Sequence, residues 1–315
     1  MGARAAAEPS PGAAERLAYA GHEARRLSNG RVELIATVSA GPRVLRYGFA
    51  GGPNVFAELP HAVIETELGA WRPYGGHRLW IAPEQPPCSF APDNDPVEVE
   101  GEGARELTLR QAPHPRVGVE KRLRLELDAS GPGVTVTHWL RNLNPQPIEM
   151  AAWGITVMRE GVALLPQEPF RPWEEAVLPA RPMVLWHYTD LRDPRWTLGE
   201  RFIRLRTDAG RPQPQKIGAG NAQGWLAHAG GGLLFVKRFA HHESAAYPDF
   251  GCNAEAFTAG AMVEIESLGP MTVVAPGESI EHRERWHLFD GVHVDEDDAA
   301  LEARLRPLIA QVAAV

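Results

Sequence analysis

The stretch 119–127 constrains the chain most. Val119, Leu123, Leu125 and Leu127 fall on one side of an extended chain, and Glu120, Arg122, Arg124 and Glu126 fall on the other. Successive strand side chains point to opposite faces, so this spacing predicts an antiparallel strand with one face in a core and one in water. The same period runs through 31–38, where Val32, Leu34, Ala36 and Val38 share a side, and through 134–141. Further strands are expected at 202–207, 224–228, 232–239, 261–266 and 280–289. Ser28-Asn29-Gly30 and the segments 129–133 and 142–146 supply turns, because Gly and Asn accept positive φ and Pro fixes φ. The 28 prolines and 31 glycines suit short strands and would break long helices. One helix is expected at the end. Asp295, Asp297 and Asp298 place acids at a helix N-terminus, and Leu301, Leu305, Leu308 and Val312 recur with helical spacing. Pro307 is expected to kink or divide it. The fold class that follows is all-β, a large antiparallel β-sandwich with a short C-terminal helix.

Residues 159–200 break the pattern. Six prolines punctuate them, with Trp173, Trp186 and Trp196 interspersed. Such an excursion from the sheets either shapes a binding site or covers a sheet edge. The first twenty residues, rich in Ala, Pro and Gly, are expected to form a flexible tail, leaving 21–315 as one sandwich domain. With 315 residues and 44% hydrophobic content, the chain has enough apolar material for a sizeable core.

The net charge of −8 and the lack of a long Lys/Arg run argue against a nucleic-acid partner. No stretch approaches the ~20 apolar residues of a membrane span. Glu8, Pro9, Pro11 and Glu15 interrupt any secretory apolar core. Cys88 and Cys252 do not make a disulfide framework, so a cytoplasmic protein is expected.

Longer strings point further. VTVTHWLRNLNPQPIEM at 134–150 resembles the strand–turn–strand of the aldose 1-epimerases. The stretch from Val263 through PGES at 276–279 into the strand 280–289 is similar to that family's end, where a strand carrying the catalytic Glu precedes a Pro-Gly-Glu turn and a final strand. SAGPRVLRYGFAGGPNVF at 39–56 resembles its start. TyrGlyGlyHisArgLeuTrp at 74–80, LysIleGly at 216–218 with Asn221, and TyrProAspPheGlyCysAsnAlaGlu at 247–255 look like a bacterial branch of the galactose mutarotase-like superfamily. The resemblance covers about 30–290 and rests on the order of the strings. It implies a sandwich with an open cleft for a sugar, general acid/base chemistry and no cofactor.

In MetValGluIleGlu, 262–266, Glu264 and Glu266 share a strand face, roughly 6–7 Å apart, and each raises the pKa of the other. On the family's pattern Glu266 falls at the catalytic base, with Glu264 the alternative if the register differs; a solvated face or salt bridges would also place them there. His77 follows two glycines, which let backbone approach a ligand. Arg78 offers a fork of donors and Trp80 an apolar face for a sugar, unless His77 and Arg78 only bind backbone carbonyls. The chain departs from the family where its acid histidine would stand: Trp153 occupies that place and cannot transfer a proton. His77 and His187 are the candidates to replace it.

Asp190 could accept from sugar hydroxyls, whereas Arg195 reads as part of a structural turn. Lys216, Asn221 and Lys237 could contact a sugar, although an exposed lysine is usually only surface. Glu255, on one face with Asn253, is a secondary site candidate. His241, His242 and Glu243 invite a metal, but neighbours on a strand point apart, and no metal is expected. His282 and His287 read as structural.

These residues lead to three expectations. The first is an aldose 1-epimerase-like isomerase, with Glu266 as base, His77 or His187 as acid, and Arg78, Trp153 and Asp190 holding the sugar. The second is a non-catalytic sugar-binding module or sensor, and the third a lyase or hydrolase acting on an oligosaccharide.

Overall fold

A computed structural model describes residues 13–294 and 297–315. The alternating segments become the strands Val32–Thr37, Val119–Leu127, Val134–Asn142, Phe202–Arg206, Trp225–Gly230, Leu233–Phe239, Met262–Leu268 and Ser279–Asp290. Every strand pair among the described residues is antiparallel, and the strands assemble into one sheet of eleven and one of ten, with two small two-stranded ribbons. The fold is the expected large antiparallel sandwich.

The inward faces of the two sheets meet in one apolar core. From the ten-stranded sheet come Leu123, Leu125, Val134, Val136, Phe235 and Trp286; from the other come Leu34, Tyr47, Met158, Val263, Ile265 and Ala256. Full burial of such side chains contributes about 1.5–3 kcal/mol each, and the alternation read at 119–127 puts Leu123, Leu125 and Leu127 into this core.

The eleven-stranded sheet is covered on its outer face as well. Through its centre, His77–Ala82 pairs with Ile148–Met158, then follow Met262–Leu268, Ala254–Ala259, Gln215–Ala219 and the edge strand Met183–Leu185. Outside it lies a second buried cluster of Trp71, Trp80, Ala82, Ala151, Trp153, Ile155 and Leu268. A strand buried on both faces shows no alternation, which is why AlaAlaTrpGlyIleThr at 151–156 carries no period.

Three expectations change. The excursion 159–200 supplies edge strands to both sheets: Met183–Leu185 joins one and Trp196–Leu198 the other. The tail expected over 1–20 does not hold at 15–19, where Glu15–Tyr19 forms a strand paired with His22–Ser28; residues 1–12 lie outside the described residues. The helix Asp298–Ile309 runs through Pro307 without dividing. Proline removes one intrahelical hydrogen bond, and in the last turn little helix remains to be disrupted. Asp297 caps this helix, its carboxylate accepting from the Ala300 amide at 2.7 Å; Asp295 lies outside the described residues.

Candidate active site

Register puts the chemistry on the outer face of the eleven-stranded sheet. Ile155 stands opposite Arg78 on one side and Glu266 on the other. Glu266 stands opposite Glu255, and Gly218 is opposite Glu255 in turn. Directly paired residues of neighbouring strands project on the same side. Arg78, Trp80, Trp153, Glu255, Glu264, Glu266 and Lys216 therefore share one face.

At its centre Lys216 lies buried between two carboxylates. Its ammonium is 2.7 Å from Glu255 Oε2 and 3.1 Å from Glu266 Oε2. It also sits over the rings of Trp153 and Trp186, 4.8 and 4.7 Å from their centroids. Burial works against the charge of Lys216, but Glu255 and Glu266 outweigh it and hold the ammonium well above the ordinary lysine value. The Trp153 indole N–H donates to Glu266 Oε2 at 2.9 Å. The tryptophan standing where the family carries its acid thus orients the expected base.

The Glu255 carboxyl is held well above the usual range, chiefly by burial, with Glu266 and Asp249 adding to the effect against Lys216. Oε1 of Glu255 and Oε1 of Glu266 are buried without a hydrogen-bond partner. Buried acceptors are normally satisfied, so these two are unused hydrogen-bonding capacity at the centre of the cluster. Glu264, on the same face as Glu266, is raised by burial, which Arg78 counters and Glu266 reinforces.

Arg78 donates through Nη2 to Glu264 Oε1 at 3.1 Å and lies over the rings of Trp71 and Trp80, at 5.4 and 4.9 Å. Trp80 meets Trp153 edge to face with centroids 5.4 Å apart. The carboxylates thus rest on an aromatic floor. Two further groups complete the rim. Burial pushes the Tyr188 hydroxyl up to about 12, Lys216 opposes this, and the carboxylates reinforce it. Glu84 is raised by burial and by Glu266, Asp249 and Glu264, again against Lys216.

Two expected site residues lie between the sheets instead. His77 is on the inner face, fully buried, with Nδ1 on Thr156 Oγ1 at 2.9 Å and Nε2 on His138 Nε2 at 2.7 Å. It adjoins Arg78 on a strand, and strand neighbours point apart. Lys237 is also interior. Its ammonium is 2.9 Å from Glu284 Oε1 and donates to the carbonyls of Gly154 and Ile265 at 3.0 and 3.3 Å. These two belong to a polar network between the sheets that also holds His282, Ser267 and Trp286.

His187 is exposed beside Trp186, in a turn tied to the sheet where the Thr189 hydroxyl donates to the Lys216 carbonyl at 2.5 Å. Asp190 is engaged with Arg192 at the surface, and its amide donates to Gln215. Arg195 is structural, as expected, bound to Asp193 and to the carbonyls of Arg211 and Gln213. Among the other histidines, His241 stacks on Tyr247 and bonds Asn253. Lys216 was undervalued in the sequence, although Gly218 two positions on carries the same period, and Glu84 and Trp71 were not singled out there.

The two-sheet order matches that of solved structures. A candidate mutarotase from Salmonella typhimurium superposes with a TM-score of 0.58 at 12% identity, over 88% of this chain and 94% of that one. A galactose mutarotase-like protein from Lactobacillus casei gives 0.54 at 10% identity, over 84% and 100%. The chain has the galactose mutarotase-like fold. A candidate aldose 1-epimerase from Escherichia coli agrees, at 0.52 and 12% identity over 85% and 99%. No family model matches the chain, and no curated protein matches it by sequence. Identities this low carry the mutarotase-like fold alone, so the chemistry of the face rests on its own side chains.

Proposed function

We propose that the outer face of the eleven-stranded sheet binds a sugar and interconverts its anomers with a pair of carboxyl groups, Glu266 and Glu255. The observation that carries this reading is the Glu255–Lys216–Glu266 cluster beneath Trp153 and Trp186, with one buried oxygen of each carboxyl unpartnered. Ring opening needs a base for the anomeric hydroxyl proton and an acid for the ring oxygen. Those two oxygens are bonded to the same carbon, so neighbouring carboxyls on paired strands can serve both. Two acids sharing one site ionise unequally. Glu255, raised by burial and by Glu266, keeps its proton and donates it. Glu266, which accepts from Trp153 and Lys216 through Oε2, is the group that takes one. Lys216 steadies the charge that the exchange leaves on the pair. No histidine is required, which accommodates an inward-facing His77.

The test is proton-NMR exchange between anomer signals over a panel of aldoses and uronic acids. Glu266→Gln is expected to lower exchange at least about 100-fold, the scale of one acid/base partner. Full exchange in a folded Glu266→Gln protein would remove Glu266 from the mechanism. A second reading, sugar binding without turnover, is favoured by Glu266 being tied to both Trp153 and Lys216. Saturable binding without accelerated exchange would select it.

A further inference from the structure

The segment Tyr247–Asn253 is the most strained part of the chain that borders this face. Asp249 (φ 49°, ψ 53°) and Phe250 (φ 60°, ψ 26°) are consecutive non-glycine residues in the left-handed region, followed by Gly251 at φ 103°. The Cβ of an L residue makes that region unfavourable, and two such residues in a row survive only where the surroundings enforce them.

The surroundings do so here. The Cys252 amide closes the turn on the Pro248 carbonyl at 2.9 Å. Asn253 below it is locked to Asn221, accepting from its amide at 2.6 Å and donating to its carbonyl at 3.0 Å. Pro182 packs against the turn so closely that a Cβ on Gly251 would come within 3.2 Å of it. The turn is also placed against the site. A Cβ on Gly218 would meet Cys252 Sγ at 2.7 Å and Trp186 at 3.1 Å, so Cys252 and Trp186 converge over the residue paired with Glu255. This rigid, strained turn holds Phe250 91% exposed. An exposed phenylalanine gains nothing for the fold, and neither does a left-handed backbone.

We propose that Phe250 is a stacking platform at the lip of the cleft. It receives a second, non-reacting sugar unit while the first lies against Trp153 and Trp186, so the preferred substrate is the reducing end of a glycan of two or more units. This rests on the sugar-binding reading above and adds its substrate class. Apolar C–H faces of pyranoses pack on aromatic rings, and Tyr188, 42% exposed in the turn that carries Trp186, offers a second ring on the same rim.

The test is calorimetric binding of glucose and galactose against maltose, cellobiose and lactose, with wild type, Phe250→Ala and Phe250→Gly. Wild type should bind at least one disaccharide more tightly than either monosaccharide. Both variants should weaken disaccharide binding about fivefold, the scale of one aromatic face contact, and leave monosaccharide binding unchanged. Phe250→Gly should also melt at a higher temperature than Phe250→Ala, because glycine accepts this φ without strain. Unchanged disaccharide affinity in both variants would overturn the platform and leave the sugar cleft standing. So would a change of oligomeric state in Phe250→Ala without a change in affinity. No binding of any of these sugars to wild type would overturn the cleft reading and the platform with it.

Discussion

Lys216→Met should destabilise the protein by about 3–5 kcal/mol at pH 8, and the loss should shrink on acidification. The ammonium is buried, and its partners Glu255 and Glu266 are fully buried. Removing one member of a buried ion cluster leaves the remaining carboxyls without a counter-charge in a medium that cannot solvate them, which costs about that much. Methionine keeps the stem and its contact with Trp153 and Trp186, so the loss is electrostatic rather than one of packing. The sign of the pH dependence follows from linkage. Without Lys216 the opposition to burial at Glu255 disappears, and its folded pKa rises further above the unfolded one. A carboxyl raised in the folded state binds more protons there than when unfolded. Its stability contribution therefore grows as pH falls from that raised value towards 4.5. Urea unfolding of wild type and Lys216→Met at pH 8 and pH 5 reads both effects. An equal deficit at the two pH values would mean that the lysine acts through packing, and that the carboxyl pair does not share its charge.

The same cluster marks where the sequence stops being readable. The alternation at 119–127 and 134–141 fixed strands with one face in water, and the structure has them in place. Glu264 and Glu266 were legible as one face of one strand for the same reason. The neighbours that give Glu266 its chemistry come from strands far away in sequence: Trp153, Glu255 and Lys216 meet it only through register. A single residue of slip would turn any of them to the other side. His77 shows the limit in one position. Its setting after two glycines pointed to a ligand, yet the side chain one place along, Arg78, lies on the outer face with Glu264 while His77 turns inward. Lys216 resembled a surface lysine because composition cannot show that a loop carrying Trp186 covers it. Glu84 sits among prolines, where no period exists to assign a face. The string TyrProAspPheGly carried the resemblance but not the left-handed backbone of Asp249 and Phe250.

The inner polar network sets the second large effect, with a pH dependence opposite to that of the raised carboxyls around Lys216. His282 is fully buried and bonds Ser267 Oγ through Nε2 at 2.7 Å. Ser267 donates in turn to Glu284 Oε1 at 2.6 Å, and Glu284 also holds Lys237 and accepts from the Trp286 indole. Burial lowers His282 to about 3; Glu284 draws it upward, and His138 and Lys237 push it down. Burial lowers His77 and His138 too, while Glu284 opposes the change in both. Glu284 is itself held below the usual carboxylate range, because Lys237 and the surrounding histidines overcome its burial. For a histidine depressed in the folded state, the unfolded chain binds more protons between the two pKa values. The stability His282 contributes is therefore fully present above its unfolded value of 6.5, and it is lost as pH falls towards about 3. At pH 5 the loss from this one residue is about 2 kcal/mol, at 1.36 kcal/mol per pH unit. Glu84, Glu255 and Glu264, raised in the folded state, act in the opposite direction over the same range, so wild type alone does not isolate the histidine. The difference between wild type and His282→Asn does, because the carboxyls are common to both proteins. His282→Asn should be less stable than wild type at pH 7, and the gap should narrow by about 2 kcal/mol at pH 5. A gap independent of pH would mean that folding does not shift the His282 pKa, and a gap that widens from pH 7 to pH 5 would mean that His282 is already protonated in the folded protein. Glu284 would then carry two buried cations, and the network between the sheets would be an ion cluster like that around Lys216.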